Sequence, residues 1–387
     1  MIARVEPVPA AQALAASAAE LAPAAERARR LDPGLVAQIA EAGLFRLCVP
    51  ASVGGLEAHP SALVESVEAL ATGDAAAGWC VAISATSGAL AGWLPDDARR
   101  DVYGDPAQVV GGVFAPKGRA VGEDGALRVT GRWPFASGID HCDWLMGGCL
   151  VDDGAGSFVK LPSGAPDIRL CVVPKAEVEV LDTWSVSGLR ATGSHDMEID
   201  GVLVPLERSA SLITDPPFED GPLYAFPVFG LLAIAIAAVG LGVARAAIDD
   251  VTELAGAKTP TGSTRPLAAR SDAQSQVARA TASVRAARAG LLEAVAQAFD
   301  AAVATGEVGV ENKAALRSGA SHAMGASAAA VDAMWALAGG SAIYERTPLE
   351  RRFRDVHAAT QHMLVGPGTF ELAGRILLGV PTDTAQL

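Results

Sequence analysis

The hydrophobic period along the chain changes twice. Residues 9–30 are rich in alanine, with Glu20, Glu26, Arg27, Arg29 and Arg30 placed for the wet face of a helix. Asp32-Pro33 opens a second helix, because Asp caps a helix N-terminus and Pro suits its first position; Gly43 ends it. Val49-Pro50 through Gly54-Gly55 reads as a loop, Pro60 to Thr72 as a helix, Ala75 to Trp93 as a very apolar helix, and Pro95 to Tyr103 as a short charged one. From Val109 the texture shifts to short runs at Val109-Val110, Leu127–Val129, Trp144–Val151, Ile168–Val173, Val178–Val180 and Met197–Val204. Gly, Pro and Asp turns separate them, the pattern of strands. After Pro216-Pro217 helical periodicity returns over about 222–256, 267–305, 311–339 and 348–378, four long helices that make a bundle. Helices, then strands, then helices predict an α+β fold with segregated units and no βαβ alternation. The expected units are an N-terminal α-helical domain over 1–107, a central antiparallel β-domain over 108–215 and a C-terminal four-helix bundle over 216–387.

Composition changes this picture in a few places. Phe226 to Ala244 carries no charge and is long enough to span a bilayer. Its many Ala and Gly residues, its start at Pro227 and Gly230, and the acidic flank of Asp215, Glu219 and Asp220 oppose that reading. A helix apolar all round also belongs at the centre of a bundle, and this one is read so. A formal charge of −14 argues against nucleic acid and against an anionic membrane surface, so any phosphate-bearing ligand must be met by a local Arg or Lys cluster. Cys48, Cys80, Cys142, Cys149 and Cys171 form an odd set with no CxxC spacing, which predicts neither disulfides nor a metal site. A reducing, cytoplasmic location fits best. The N-terminus has Glu6 and an alanine-rich amphipathic stretch where a secretory signal would have a basic and then an apolar region.

Two segments of the central unit carry candidate chemistry. Gly131-Arg132-Trp133-Pro134-Phe135-Ala136-Ser137-Gly138 is followed by Asp143-Trp144. Its aromatic side chains suit the face of a flat ring, with the Ser hydroxyl or a turn N–H near a ring nitrogen. Taken alone, a hairpin with two core aromatics is the more ordinary reading. Leu181-Asp182-Thr183-Trp184 and Gly188–Asp196 lead into a strand ending Val202-Leu203-Val204-Pro205. A Gly/Thr/Ser turn presents N–H groups and hydroxyls to polar ligands, though by itself such a turn is commonly only a turn.

In this order, between two helical units, these segments resemble the acyl-CoA dehydrogenase superfamily, whose β-domain has a flavin-facing "W..ag" segment and then "GlR.t.s....f..v.VP". The branch resembled is the two-component flavin monooxygenases. Phe135–Gly138 and Asp182–Asp196 have that branch's wording, and Arg351-Arg352-Phe353-Arg354-Asp355-Val356-His357 with His362 resembles its "R.wRD......H" segment. The resemblance implies flavin contacts at Trp133, Phe135, Ala136, Ser137, Thr192 and Ser194. It also implies a basic residue for the cofactor phosphate, Lys258 or Arg265, in the linker where relatives supply one across a subunit interface. A homotetramer or homodimer follows from the same likeness.

A dehydrogenase needs a positioned carboxylate to remove an α-proton. One family position for it corresponds to Val365-Gly366-Pro367-Gly368-Thr369, with Pro367 in the place of the acid; the other lies near Leu232, and no acid occurs between Asp220 and Asp249. The expected activity is therefore that of an oxygenase component: reduced FMN or FAD and O₂, through a C4a-hydroperoxide, hydroxylate a small aromatic or heteroaromatic substrate. His362 and Ser137 are the residues the resemblance assigns to catalysis. Many relatives carry a His midway along the helix 75–93, where this chain has Ser84-Ala85-Thr86-Ser87-Gly88. Gly240-Leu241-Gly242 lies inside a helical run with no strand before it, so it is no Rossmann fingerprint. That implies a separate NAD(P)H:flavin reductase. A dehydrogenase with an unusual base such as Glu371, and a non-catalytic relative, are the alternatives.

Overall fold

The computed structural model describes residues 6–162, 164–384 and 387, so the first five residues of the N-terminal unit lie outside it. Helices α1 (Pro7–Ala28), α2 (Pro33–Glu41), α3 (Pro60–Gly73), α4 (Ala75–Ser87) and α5 (Asp96–Tyr103) build the N-terminal part. Local chemistry sets their ends. Asp32 Oδ1 accepts from the N–H groups of Gly34 (2.8 Å) and Leu35 (3.1 Å) to start α2. His59 does the same for α3, its ring nitrogen accepting from Ser61 N–H at 3.1 Å. The expected single helix 75–93 tightens into 3₁₀ turns over Gly88–Trp93.

The central sheet contains β1 (Val110–Glu123), β2 (Ala126–Ala136), β3 (Trp144–Asp152), β4 (Ile168–Pro174), β5 (Glu179–Leu181), β6 (His195–Pro205) and β7 (Ser209–Ala210), in the order β5-β6-β2-β1-β3-β4-β7. The expectation of an antiparallel domain needs one amendment: β1 and β3 run parallel, while the other described pairs are antiparallel. The chain returns past β1 after the β1–β2 hairpin, which makes the sheet mixed. Trp133 is fully buried against it, and its Nε1–H donates to the carbonyl of Gly148 at 2.8 Å. Glycines make room for the indole: a Cβ on Gly118 would stand 2.1 Å, and one on Gly147 2.7 Å, from Trp133 Cζ2.

The C-terminal part holds α6 (Pro222–Ala225), α7 (Val228–Ala257), α8 (Ser271–Thr305), α9 (Val310–Ala338), α10 (Pro348–Ala359) and α11 (Gly368–Leu377). The apolar α7 is a core helix, with 94% of its most apolar stretch enclosed by protein. It packs against α3, α4, α9 and α10. Buried Glu68 on α3 accepts from Arg245 of α7 (2.9 Å) and Arg288 of α8 (2.6 Å), tying the first and last parts together. A carboxylate at that depth needs such partners. The expected helix 348–378 is in fact two: Gly366-Pro367-Gly368 interrupts it, and a 3₁₀ turn at Met363–Val365 bridges α10 and α11. His362 stands in that break.

Candidate active site

Trp79, near the start of α4, is where the three parts of the chain meet. Its Nε1–H donates to Ser137 Oγ at 3.0 Å, at the end of β2. Its ring meets the ring of His362, from the α10–α11 break, edge-on with centroids 5.7 Å apart. Trp79 is buried, as is Ser137. A buried indole N–H is costly without an acceptor, so Ser137 has a structural as well as a chemical duty.

From Ser137 the hydroxyls continue. Ser137 Oγ lies 2.8 Å from Ser194 Oγ, Ser194 Oγ lies 2.6 Å from Thr192 Oγ1, and Thr192 Oγ1 donates to the Leu189 carbonyl at 2.8 Å. Three of the residues read from the sequence, Ser137, Thr192 and Ser194, are thus one connected group. The turn that carries the last two is fastened to α10. Leu189, in a left-handed conformation (φ 52°), gives its N–H to Asp355 Oδ1 at 2.6 Å. Gly188 lies so close to α10 that a Cβ would stand 2.1 Å from the Arg354 carbonyl oxygen. The Gly188–Ser194 and Arg351–His357 motifs, joined by a bond between residues 166 positions apart in order, are therefore the two halves of one contact. Asp355 is deeply buried, and burial, with the charge of Asp74 behind it, pushes its pKa up to about 7.

His362 Nδ1 accepts from the Leu364 N–H at 3.3 Å, which leaves Nε2 as the hydrogen-bearing nitrogen of the neutral ring. Burial, reinforced by the nearby Arg317 guanidinium, lowers its pKa to about 4. His141 is also held near 4, by burial and then Lys175; it stacks on Phe45 beneath the Ser137–Gly138 turn. Two other histidines have partners of their own, and of these His195 borders the group, following Ser194 and pairing with Ala136. His357 pairs with Asp332 at 2.8 Å, and His195 Nδ1 accepts from Trp184 N–H at 3.3 Å.

Three expected cofactor contacts are placed differently by the fold. Trp133 lies inside the sheet and has no face to offer a ligand. The pleat that sends Trp133 inward would send Phe135 the same way, but the ladder slips between Trp133 and Ala136. Phe135 takes a left-handed conformation (φ 69°) and stands 66% exposed, edge-on to Trp184. A bulky residue held so is a strained feature of the kind found at ligand sites. Ala136 is fully buried and pairs with His195, so its methyl takes no part at the surface. Arg265 lies on the exposed linker; the residues that line the neighbouring cleft of about 660 Å³ include Lys258, Arg270, Gln276, Gly339, Gly340 and Ser341. Lys258 Nζ is positioned there by the Ala338 carbonyl and Ser341 Oγ.

Sequence reasoning missed Trp79 and Arg270. A lone Trp among small residues of α4 was the available signal for the first; nothing in the spacing separates Arg270 from Arg265. The residues also fit a flavin: an exposed aromatic face at Phe135 and Trp184 lies beside a hydroxyl, Ser137, that retains a lone pair. The buried hydroxyls of Ser84, Ser87 and Ser321 have no hydrogen-bond partner within the protein. No acid occupies either dehydrogenase position, and Glu371 is exposed on α11.

Comparison with known proteins agrees with this geometry. The family described as "Acyl-CoA dehydrogenase, N-terminal domain" matches residues 10–97, and "Acyl-CoA dehydrogenase, C-terminal domain" matches 234–367. The chain is 31% identical to an indole-3-acetate monooxygenase of Pseudomonas putida over 92% of its own length and 89% of the relative's. The crystal structure of the HsaA monooxygenase of M. tuberculosis superimposes with a TM-score of 0.90 at 27% identity, covering 99% of this chain and 100% of that one. XiaF of Streptomyces sp., solved with FADH2 and glycerol, gives 0.89 at 27% identity, covering 98% and 97%. Across nearly its whole length, then, the chain belongs to the acyl-CoA dehydrogenase superfamily and, within it, to the oxygenase components of flavin-dependent monooxygenases.

Proposed function

We propose that the chain binds reduced FMN or FAD against the Phe135–Ser137 turn and hydroxylates a small aromatic or heteroaromatic molecule. The observation that carries this is the junction at Trp79, where the Ser137 hydroxyl chain and His362 converge while both dehydrogenase carboxylate positions lack an acid. Reduced flavin, when bound, supplies the electrons that activate O₂. The protein's own part is to cover the ring with Phe135 and Trp184, to meet a ring nitrogen with Ser137, and to hold His362 neutral as a hydrogen-bond donor. The aromatic substrate class is supported by the indole-3-acetate named for the P. putida relative.

In this reading the three units 1–107, 108–215 and 216–387 supply Trp79, the hydroxyl chain and His362 in turn. Lys258, with Arg270 in place of Arg265, would meet the cofactor phosphate. A separate NAD(P)H:flavin reductase delivers the reduced flavin. A homotetramer or homodimer is supported by Phe370 and Leu377 on α11 and Leu378 just after it, large apolar side chains left exposed. A cytoplasmic site of action is supported by five cysteines that are all free and buried.

The test mixes anaerobically reduced FMN or FAD and protein with O₂ and a panel of phenols and indoles, and compares hydroxylated product with free peroxide. Product formation coupled to flavin oxidation is expected. Reduction of bound flavin by an acyl-CoA would overturn the reading in favour of a dehydrogenase, and failure to bind either redox state in favour of a non-catalytic relative.

A further inference from the structure

The hydroxyl group at the site has a direction. Four contacts link Trp79 Nε1, Ser137 Oγ, Ser194 Oγ, Thr192 Oγ1 and the Leu189 carbonyl oxygen. The indole N–H can only donate, and the carbonyl can only accept. Three hydroxyl hydrogens and one indole hydrogen are available for four bonds, so one arrangement alone makes them all. Thr192 gives its hydrogen to Leu189, Ser194 gives its hydrogen to Thr192, and Ser137 gives its hydrogen to Ser194 while accepting from Trp79. Reversing any hydroxyl leaves a buried polar contact unmade, which such networks resist. The far end is fixed as well, since Asp355 holds Leu189 in place through its N–H.

We infer that this one-way chain makes Ser137 an acceptor toward its ligand, and that the site thereby selects the reduced over the oxidised flavin. Ser137 has its hydrogen committed to Ser194 and one lone pair still open. Reduced flavin carries a hydrogen on N5 and can donate to that lone pair. Oxidised flavin has a bare N5, which needs a donor that Ser137 does not have to spare. Hydrogen bonds to ring nitrogens are an established means by which a protein tunes a bound flavin. Trp79, Ser194 and Thr192 are positioning residues in this scheme. The inference rests on the flavin reading above and goes beyond it by naming what sets the redox preference.

The test is the ratio of the dissociation constants for oxidised and reduced FMN or FAD, measured anaerobically on the full-length protein, with the midpoint potential of the bound flavin as a second readout. Ser194→Ala frees the Ser137 hydrogen to donate. The ratio of oxidised to reduced Kd should then fall by about tenfold, the scale of one hydrogen bond, and the potential by about 30 mV for a two-electron couple. Thr192→Val should act in the same sense, because Ser194 can then turn back toward Ser137. Trp79→Phe removes an incoming bond and leaves the direction intact, so its ratio should not fall. A loss of packing would move all three variants alike, and that pattern would overturn the inference, as would an unchanged ratio in Ser194→Ala and Thr192→Val. Unsubstituted protein that binds flavin but shows no change in its variants refutes the inference alone; protein that binds neither redox state refutes the flavin reading with it.

Discussion

His362 should remain neutral through the whole range in which histidines ordinarily titrate. An unperturbed imidazole with a pKa near 6.5 is about one-quarter protonated at pH 7, whereas one at about 4 is protonated in roughly one molecule in a thousand. The first cause is burial in the α10–α11 break against Trp79; the second is the Arg317 charge. The perturbation is Arg317→Met, read with His362 in ¹⁵N-labelled protein by two-bond NMR correlation, with the parent followed from pH 8 down to pH 5. The parent should show the Nε2–H tautomer throughout, because Nδ1 is occupied by the Leu364 N–H. Arg317→Met should raise the titration midpoint but leave it below 6.5, since the larger cause is untouched.

The same displacement has a consequence for stability. The folded pKa lies below the unfolded one, so the folded state binds fewer protons in that window. Stability is intact above about pH 6.5 and is lost as pH falls toward 4, by up to roughly 3 kcal/mol. His362→Gln should remove that part of the acid loss in denaturant titrations. A His362 midpoint between 6 and 7, or an Nδ1–H tautomer, would refute the reasoning from burial and capping together.

Two further perturbations probe the frame of the site. Asp355 is displaced in the opposite direction, from its usual 3.8 to about 7, so the unfolded chain releases its proton before the folded one does. Stability should decline as pH rises from about 4 to 7, by roughly 4 kcal/mol if the whole displacement is expressed. Asp355→Asn keeps an oxygen for Leu189 N–H and should flatten that slope in chemical denaturation at pH 5 and pH 8; an unchanged slope would rule Asp355 out as its source. Gly147→Ala places a methyl 2.7 Å from the Trp133 indole and should cost about 1–3 kcal/mol through overpacking. An unaltered melting temperature would show that the indole has room the structure does not give it.

Much of this arrangement was legible in the order of residues, and the exceptions have local causes. The three-part succession of helix, strand and helix follows from hydrophobic period, which tertiary packing reinforces. Asp32 and Pro33 marked a helix start because capping is a property of a few adjacent residues. The break before α11 was also written locally, in Gly366-Pro367-Gly368, but the helical pattern on either side masked it, and with it the fact that His362 caps a turn and does not sit mid-helix. Trp133 and Phe135, two residues apart, would share a face of a regular strand. A slip of the ladder at Trp133–Ala136 separated them, and register slips depend on the partner strand.

Trp79 shows where sequence reasoning runs out and geometry takes over. It stands 58 residues from its hydrogen-bond acceptor, and no motif couples the two positions. What joins them is the requirement that a buried indole N–H find an acceptor. That requirement selects Ser137, Ser137 then needs an outlet for its own hydrogen, and the need passes through Ser194 and Thr192 to a carbonyl that Asp355 fixes from α10. A helix from the first third of the chain, a turn from the middle and a helix from the end are thus held to one polarity by hydrogen-bond bookkeeping alone. The Ser137 hydroxyl takes its hydrogen-bonding direction from Trp79, Ser194 and Thr192, and for that reason its immediate sequence, Phe135-Ala136-Ser137-Gly138, does not reveal whether it gives a proton or receives one.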